Sequence, residues 1–409
     1  MKMFKYLTLA LAVILVMSAC GSAQPAAPGE SAPAPAPAQP QDSAGTSDAV
    51  TEEPIRIGFF APLTSAAAAA DGLSCQNSVD LAVSLLNESG GINGRMVELV
   101  SYDDGLDTTQ AISIAERLTT RDNVVAVVSG SYSAPTRVAA PIFQDAGMVM
   151  VSSYAVHPDV INAGDFIFSQ SFTGSVQGRA GADFMVNNLG KQRIAIIAVD
   201  LDFGTELSTS FQEHAESLGA TITSINKVAI SDNDLAPIIT KIRTEDIDAI
   251  YMANYYAHSA EVIAQCKLQG LDVPIVASQG TDSWQFEDIA GANAEGMYMT
   301  TNMDRDSKNP GAQEFIRKYK ETYNMVPDMV GASSYDAMEV LFEAIKAVGT
   351  DPAAIRDHIQ NLANFETVTG TLIRYTPNGA AVKAVQVQIY KDGAFRHYAE
   401  ISDPAIITP

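Results

Sequence analysis

From Ile55 to Ser278, short apolar runs alternate with segments whose apolar residues recur at helical spacing. The runs read as strands: Ile55 to Phe60, Met96 to Tyr102, Val124 to Ser129, Met148 to Ser152, then Ile194 to Val199, Thr221 to Val228, Ala249 to Met252 and the PIVAS segment at 274–278. Between them, helices are predicted at Ser74 to Asn87, Thr108 to Leu118, Ala139 to Asp145, Gly204 to Leu218, Pro237 to Arg243 and Ala257 to Gln269. Runs such as VVAVVS and IAIIAV do not alternate apolar with polar residues, so they are expected to be buried on both faces. Strands of that kind, separated by helices, belong to parallel sheets covered by helices on either side. The alternation breaks at FIFSQSFTGSVQG and then resumes. This predicts an α/β protein of two doubly wound, parallel-sheet lobes. In such sheets ligands bind beyond the carboxyl ends of the strands, and two facing lobes put both sets of strand ends on one cleft.

The first fifty residues follow a different pattern. Lys2 and Lys5 precede an apolar run from Leu7 to Met17, interrupted by Thr8. The run is shorter than the roughly 20 residues a membrane span needs, so residues 1–20 read as a signal peptide. Small residues lead into Cys20, as in a bacterial lipobox, and Cys20 is the expected lipidated first residue of the mature chain. Residues 21–53 are rich in Ala, Pro and Ser and nearly devoid of bulky apolar side chains. They are expected to stay extended as a disordered tether with a reach on the order of 100 Å. The folded part is therefore expected outside the cytoplasm, held to the cell membrane by its N-terminal lipid only.

Roughly 350 residues follow the tether, more than one typical core accommodates. The formal net charge of −23 argues against nucleic acid and against direct adhesion to anionic lipid. Cys75 and Cys266 both fall in helix-like segments and are expected as buried thiols. There is no G-x-S-x-G, no P-loop and no H-E-x-x-H, and the five His are scattered without metal-ligand spacing. No enzyme chemistry, cofactor or metal is expected on these grounds.

Several segments together carry a family resemblance: IGFFAPLTS, AVSLLNESGGINGRMVELVSYDDGLDTTQA, SGSYSAPTRVAAPIFQDAGMVMVSS, IAIIAVDLDFG, GLDVPIVASQGTDSWQFEDIAGANAEGMYMT and ASSYDAMEVLFEAI. From about Pro54 to about Gly393 the chain resembles the leucine/isoleucine/valine-binding type of periplasmic solute-binding protein. The resemblance implies two lobes joined by a three-crossover hinge, with 54–172 and 301–371 in the first lobe and 173–300 and 372–409 in the second. It implies capture of a small polar solute, a branched-chain amino acid or a related amino acid or amide. Delivery would be to the permease and ATPase subunits of an ABC importer, with the receptor itself a monomer. A sensor of amides or amino acids that signals to a membrane receptor is the alternative, and it would share every cleft residue.

The resemblance also assigns a site. Ser133, in GSYSAPT, matches the Ser that holds the ligand carboxylate. Tyr154 and Val156 stand at the next strand end, where the family uses a backbone carbonyl and a Thr; Val has no hydroxyl, which leaves only its N–H. Phe203, in DLDFG, and Tyr255, beside Tyr256, match aromatic cleft walls. Gln279 stands where amino-acid binders carry an Asp or Glu for the ligand ammonium. Asp71, where the family often has a Tyr on the first lobe, or Asp282, three residues beyond Gln279, replaces it if either points inward; if neither does, a neutral or anionic ligand fits better.

Overall fold

The computed structural model describes residues 53–409. The signal peptide, Cys20 and all but the end of the tether lie outside the described residues. No described helix is long and apolar enough to cross a membrane.

The first lobe is built on five parallel strands: β1 (Ile55–Ala61), β2 (Val97–Asp103), β3 (Ala126–Ser129), β4 (Val149–Ser152) and β5 (Ile167–Ser169). Their order is β2-β1-β3-β4-β5. Phe59 pairs in register with Val128, and Val128 with Val151. These three share a buried cluster with Ile57 of β1 and with Val79 and Leu341, from the helices Ala69–Glu88 and Met329–Val348. Phe60, Val127 and Met150 point the other way, into a cluster with Ile114, Leu118 and Phe143 of the helices Thr108–Thr120 and Ser133–Asp145. Successive side chains thus enter opposite cores, and each fully buried one contributes about 1.5–3 kcal/mol. That two-sided burial is the physical reason the strands read as unbroken apolar runs.

The second lobe carries β6 (Arg193–Val199), β7 (Thr221–Val228), β8 (Ala249–Ala253), β9 (Ile275–Ala277) and β10 (Tyr298–Thr301), all parallel. After a return through the first lobe, β11 (Ala363–Thr367), β12 (Gly370–Tyr375) and β13 (Ala381–Val382) form a small antiparallel sheet. The chain then adds β14 (Val385–Lys391) and β15 (Ala394–Ile401) antiparallel to the edge of the second sheet, whose order is β15-β14-β10-β9-β8-β6-β7.

The fold is the expected pair of doubly wound α/β lobes joined by three crossovers. The chain leaves the first sheet after β5, returns after β10 and reaches the second sheet again between β13 and β14. The last crossover falls later than the boundary at 371 read from the sequence. Residues 372–382 hold to the first lobe: the Ser169 N–H donates to the Gly379 carbonyl at 2.9 Å, the Ala381 N–H to Ser169 Oγ at 3.3 Å, and the Tyr375 and Phe168 rings meet at 5.2 Å. β13 has two residues, too few for a periodicity to register.

The crossovers are cross-tied. The Asn302 side-chain amide donates to Ser171 Oγ at 3.1 Å and to Ser333 Oγ at 3.0 Å. Lys383 is buried, donates to Thr369 and lies 3.9 Å from Asp336. Asp336 in turn receives the Val368 N–H at 2.7 Å.

One helix begins earlier than its apolar spacing suggests. It starts at Ser133 rather than Ala139, with Pro135 in its first turn, where the missing N–H has no partner to lose. Cys75 and Cys266 are both buried and free.

Candidate ligand-binding cleft

Most site positions read from the sequence lie just beyond the carboxyl end of a parallel strand or at a helix start. Asp71 sits in the first turn of the helix Ala69–Glu88, where the helix dipole favours a negative charge. Ser133 opens the helix that follows β3, and Tyr154 follows β4. In the second lobe, Phe203 lies in the first turn after β6, Tyr255 caps the helix after β8, and Gln279 follows β9. Asp71, Ser133, Tyr154, Phe203, Tyr255, Gln279 and Asp282 converge on one small cavity. Tyr132, Ala155, Gly280, Met329 and Val330 complete its lining.

The lobes meet across this cavity. The Tyr255 ring stacks on Tyr132 of the first lobe at 4.4 Å and on Phe203 of its own lobe at 5.0 Å. Tyr154 meets Tyr132 edge-on at 6.1 Å, and its hydroxyl donates to the Gly130 carbonyl at 2.9 Å. Of the Tyr255–Tyr256 pair it is Tyr255 that faces the cleft. Gly280 passes between Phe203 and the Asn254 backbone; a Cβ there would stand 2.6 Å from the Asn254 carbonyl oxygen and 2.9 Å from the Phe203 ring. Outside the cavity the lobes are also joined by Arg137 and Asp202 at 2.9 Å and by the Trp284 indole N–H, which donates to the Ala70 carbonyl at 3.2 Å.

The polar groups divide by how fully they are engaged. The Gln279 side chain is itself a lobe-to-lobe tie: its Oε1 accepts from the Ser171 hydroxyl at 3.2 Å and its Nε2 donates to the Tyr154 carbonyl at 3.3 Å. Asp282 lines the cavity but faces Arg305 at 2.5 Å, accepts from Thr301 Oγ1 at 2.7 Å and receives the Met329 N–H at 3.3 Å. Burial works against the charge of Arg305, and the adjacent Asp282 more than offsets it, holding the guanidinium above its ordinary pKa. Asp71 is different. It is 3% exposed; its Oδ2 accepts from the Tyr132 hydroxyl at 2.7 Å, and its Oδ1 has no partner. Burial, then the negative charge of Asp328, pushes its pKa up to about 7. Asp328 caps the helix Met329–Val348 through the Gly331 N–H, and burial raises its pKa to about 6.

Val156 does not line the cavity. It lies behind Ser133, its N–H donating to Ser133 Oγ at 3.3 Å. It therefore orients the Ser133 hydroxyl instead of offering its own N–H. The first-turn N–H groups of the Ser133 helix have no side-chain cap, and together with that hydroxyl they suit a carboxylate. Tyr132, Met329 and Val330 are absent from the sequence reading. Tyr132 adjoins Ser133 in the same loop and was accessible to it. Met329 and Val330 arrive on the return segment after the second crossover, with no local signal. Among the described residues no group of His, Cys, Asp and Glu could hold a metal ion.

Two facing α/β lobes, three crossovers and one cavity at the strand ends define a two-lobed binding protein. The family model described as periplasmic binding protein matches residues 54–394, and the chain belongs to that family. It is 28% identical over 290 residues to the leucine-specific-binding protein of Salmonella typhimurium, covering 67% of this chain and 78% of that protein. The solved leucine binding protein of Thermotoga maritima superposes with a TM-score of 0.78 at 29% identity, over 86% of this chain and 99% of the other. The branched-chain amino acid transporter substrate binding protein of Streptococcus pneumoniae, solved with isoleucine, gives 0.79 at 26% identity, over 85% and 99%.

Proposed function

We propose that this chain captures a small amino-acid-like solute outside the cytoplasm, a branched-chain amino acid or a related amino acid or amide, and delivers it to an ABC permease with its ATPase. Cys20 would carry the lipid that keeps the receptor beside its permease. The observation that carries the reading is the cavity itself: a polar edge at Ser133, aromatic walls from both lobes, and lining residues that are nearly all buried. A solute that touches both walls favours the arrangement in which the lobes meet. The names of the relatives above support an amino-acid ligand.

A thermal-shift screen over amino acids, amides, polyamines and small carboxylates tests this. A ligand at 100 times its Kd stabilises by about 2.7 kcal/mol, which at roughly 2–4 °C per kcal/mol is a rise of several degrees. A flat response across all four sets would count against a solute receptor of this class.

A further inference from the structure

Three buried carboxylates surround one side of the cleft: Asp71, Asp282 and Asp328. Arg305 is the guanidinium beside them, and it is engaged with Asp282. Asp328 is satisfied by the Ser74 hydroxyl at 2.5 Å and by the Gly331 and Trp284 N–H groups at 3.0 and 3.2 Å. Asp71 stands in the wall of the cavity with its Oδ1 buried and outside hydrogen-bond geometry, the Ser283 hydroxyl being its nearest further neighbour of that kind. No Lys, Arg or His lines that cavity. A buried carboxylate without a counter-charge is unfavourable.

We propose that the cleft takes solutes bearing a positively charged nitrogen, and that Asp71 of the first lobe receives it. This rests on reading the cavity as the solute site. It moves the ammonium partner from the second-lobe position at Gln279, whose amide is already spent on Ser171 and Tyr154, to the opposite wall. A solute with only a carboxylate can meet Ser133 but leaves Asp71 uncompensated, whereas an aminated one covers the surplus charge when the lobes meet.

The test is calorimetry on the full folded domain with matched probes. One set carries the nitrogen: L-leucine, L-valine and glycine betaine. The other has no nitrogen: 4-methylpentanoate, 3-methylbutanoate and benzoate. Binding confined to the first set, weakened about 30- to 3,000-fold in Asp71→Asn, is the expected result. Glycine betaine has a permanent charge, so if it is the ligand its affinity should rise as pH is raised from 5 to 7. The other titratable groups around Asp71 are Asp328, Asp282, Cys75, Tyr132, Tyr154, Tyr255 and Tyr256, and burial also pushes the pKa of Asp328 up, to about 6. An Asp328→Asn background that keeps the slope assigns it to Asp71. This pH slope also serves if Asp71→Asn fails to fold. Equal binding of a nitrogen-free probe by wild type and Asp71→Asn would overturn the role of Asp71 and leave the cleft as a solute site. No binding from either set would overturn both.

Discussion

The two walls of the cleft bury carboxylates in opposite states. On the second lobe, Asp282 is fully engaged by a guanidinium, a hydroxyl and a backbone N–H. On the first, Asp71 is just as buried but holds one hydrogen bond, from Tyr132, and its other oxygen stays outside hydrogen-bond geometry. The first arrangement is architecture: it ties the strand ends of β9 and β10 to the return helix at Met329. The second is incomplete until something enters. A charge that is fully paired at folding contributes to structure, and one left half-paired in a cavity is available for recognition.

The sharpest way to break this contrast is to remove the partner of the finished pair. Arg305→Met leaves Asp282 buried without its counter-ion, and destabilisation of about 3–5 kcal/mol is expected in urea unfolding. An unchanged midpoint would mean that Thr301 and the Met329 N–H alone satisfy Asp282.

The opposite behaviour is expected at Asp71. Its pKa is about 7 in the folded chain against 3.8 unfolded. Between those values the folded state binds more protons, so stability falls as pH rises, and the full cost stands above about 7. At 1.36 kcal/mol per unit the ceiling is roughly 4 kcal/mol, reduced to the extent that opening of the cleft lets water reach the carboxylate. Asp71→Asn should therefore raise the Tm of the ligand-free protein at pH 8 and leave it nearly unchanged at pH 4. Equal Tm shifts at both values would show that charge is not the cause.

A smaller effect is expected at Gln279→Glu. The new carboxylate can still accept from Ser171, but it faces the Tyr154 carbonyl where an N–H donated before. Loss of that tie should weaken ligand binding by about 1–3 kcal/mol. Tighter leucine binding in the Glu variant would instead place the ammonium on the second lobe and reverse the contrast between the walls.

Much of the cleft was legible in the sequence because it is made locally. Ser133, Phe203, Tyr255 and Gln279 each follow a strand whose apolar run is unmistakable, and parallel strands point their carboxyl ends to one side. The chain from Met329 to Val348 was less legible as part of the site. Its apolar residues announce a helix, but nothing local says that its first turn comes back to the cavity. Val156 shows the same limit at one residue: it follows the same strand as Tyr154, but a neighbouring hydroxyl takes its N–H.

The order of the chain alone determined the two doubly wound lobes, because burial on both faces leaves its mark in the central strands of each sheet. It also set the acidity and the candidate carboxylates by type. Which carboxylate is free was decided only by the tertiary structure. Asp71 and Asp282 are indistinguishable as letters, and their states depend on Arg305, Thr301 and Tyr132, residues 19 to 61 positions away that only the folded chain brings within hydrogen-bonding distance.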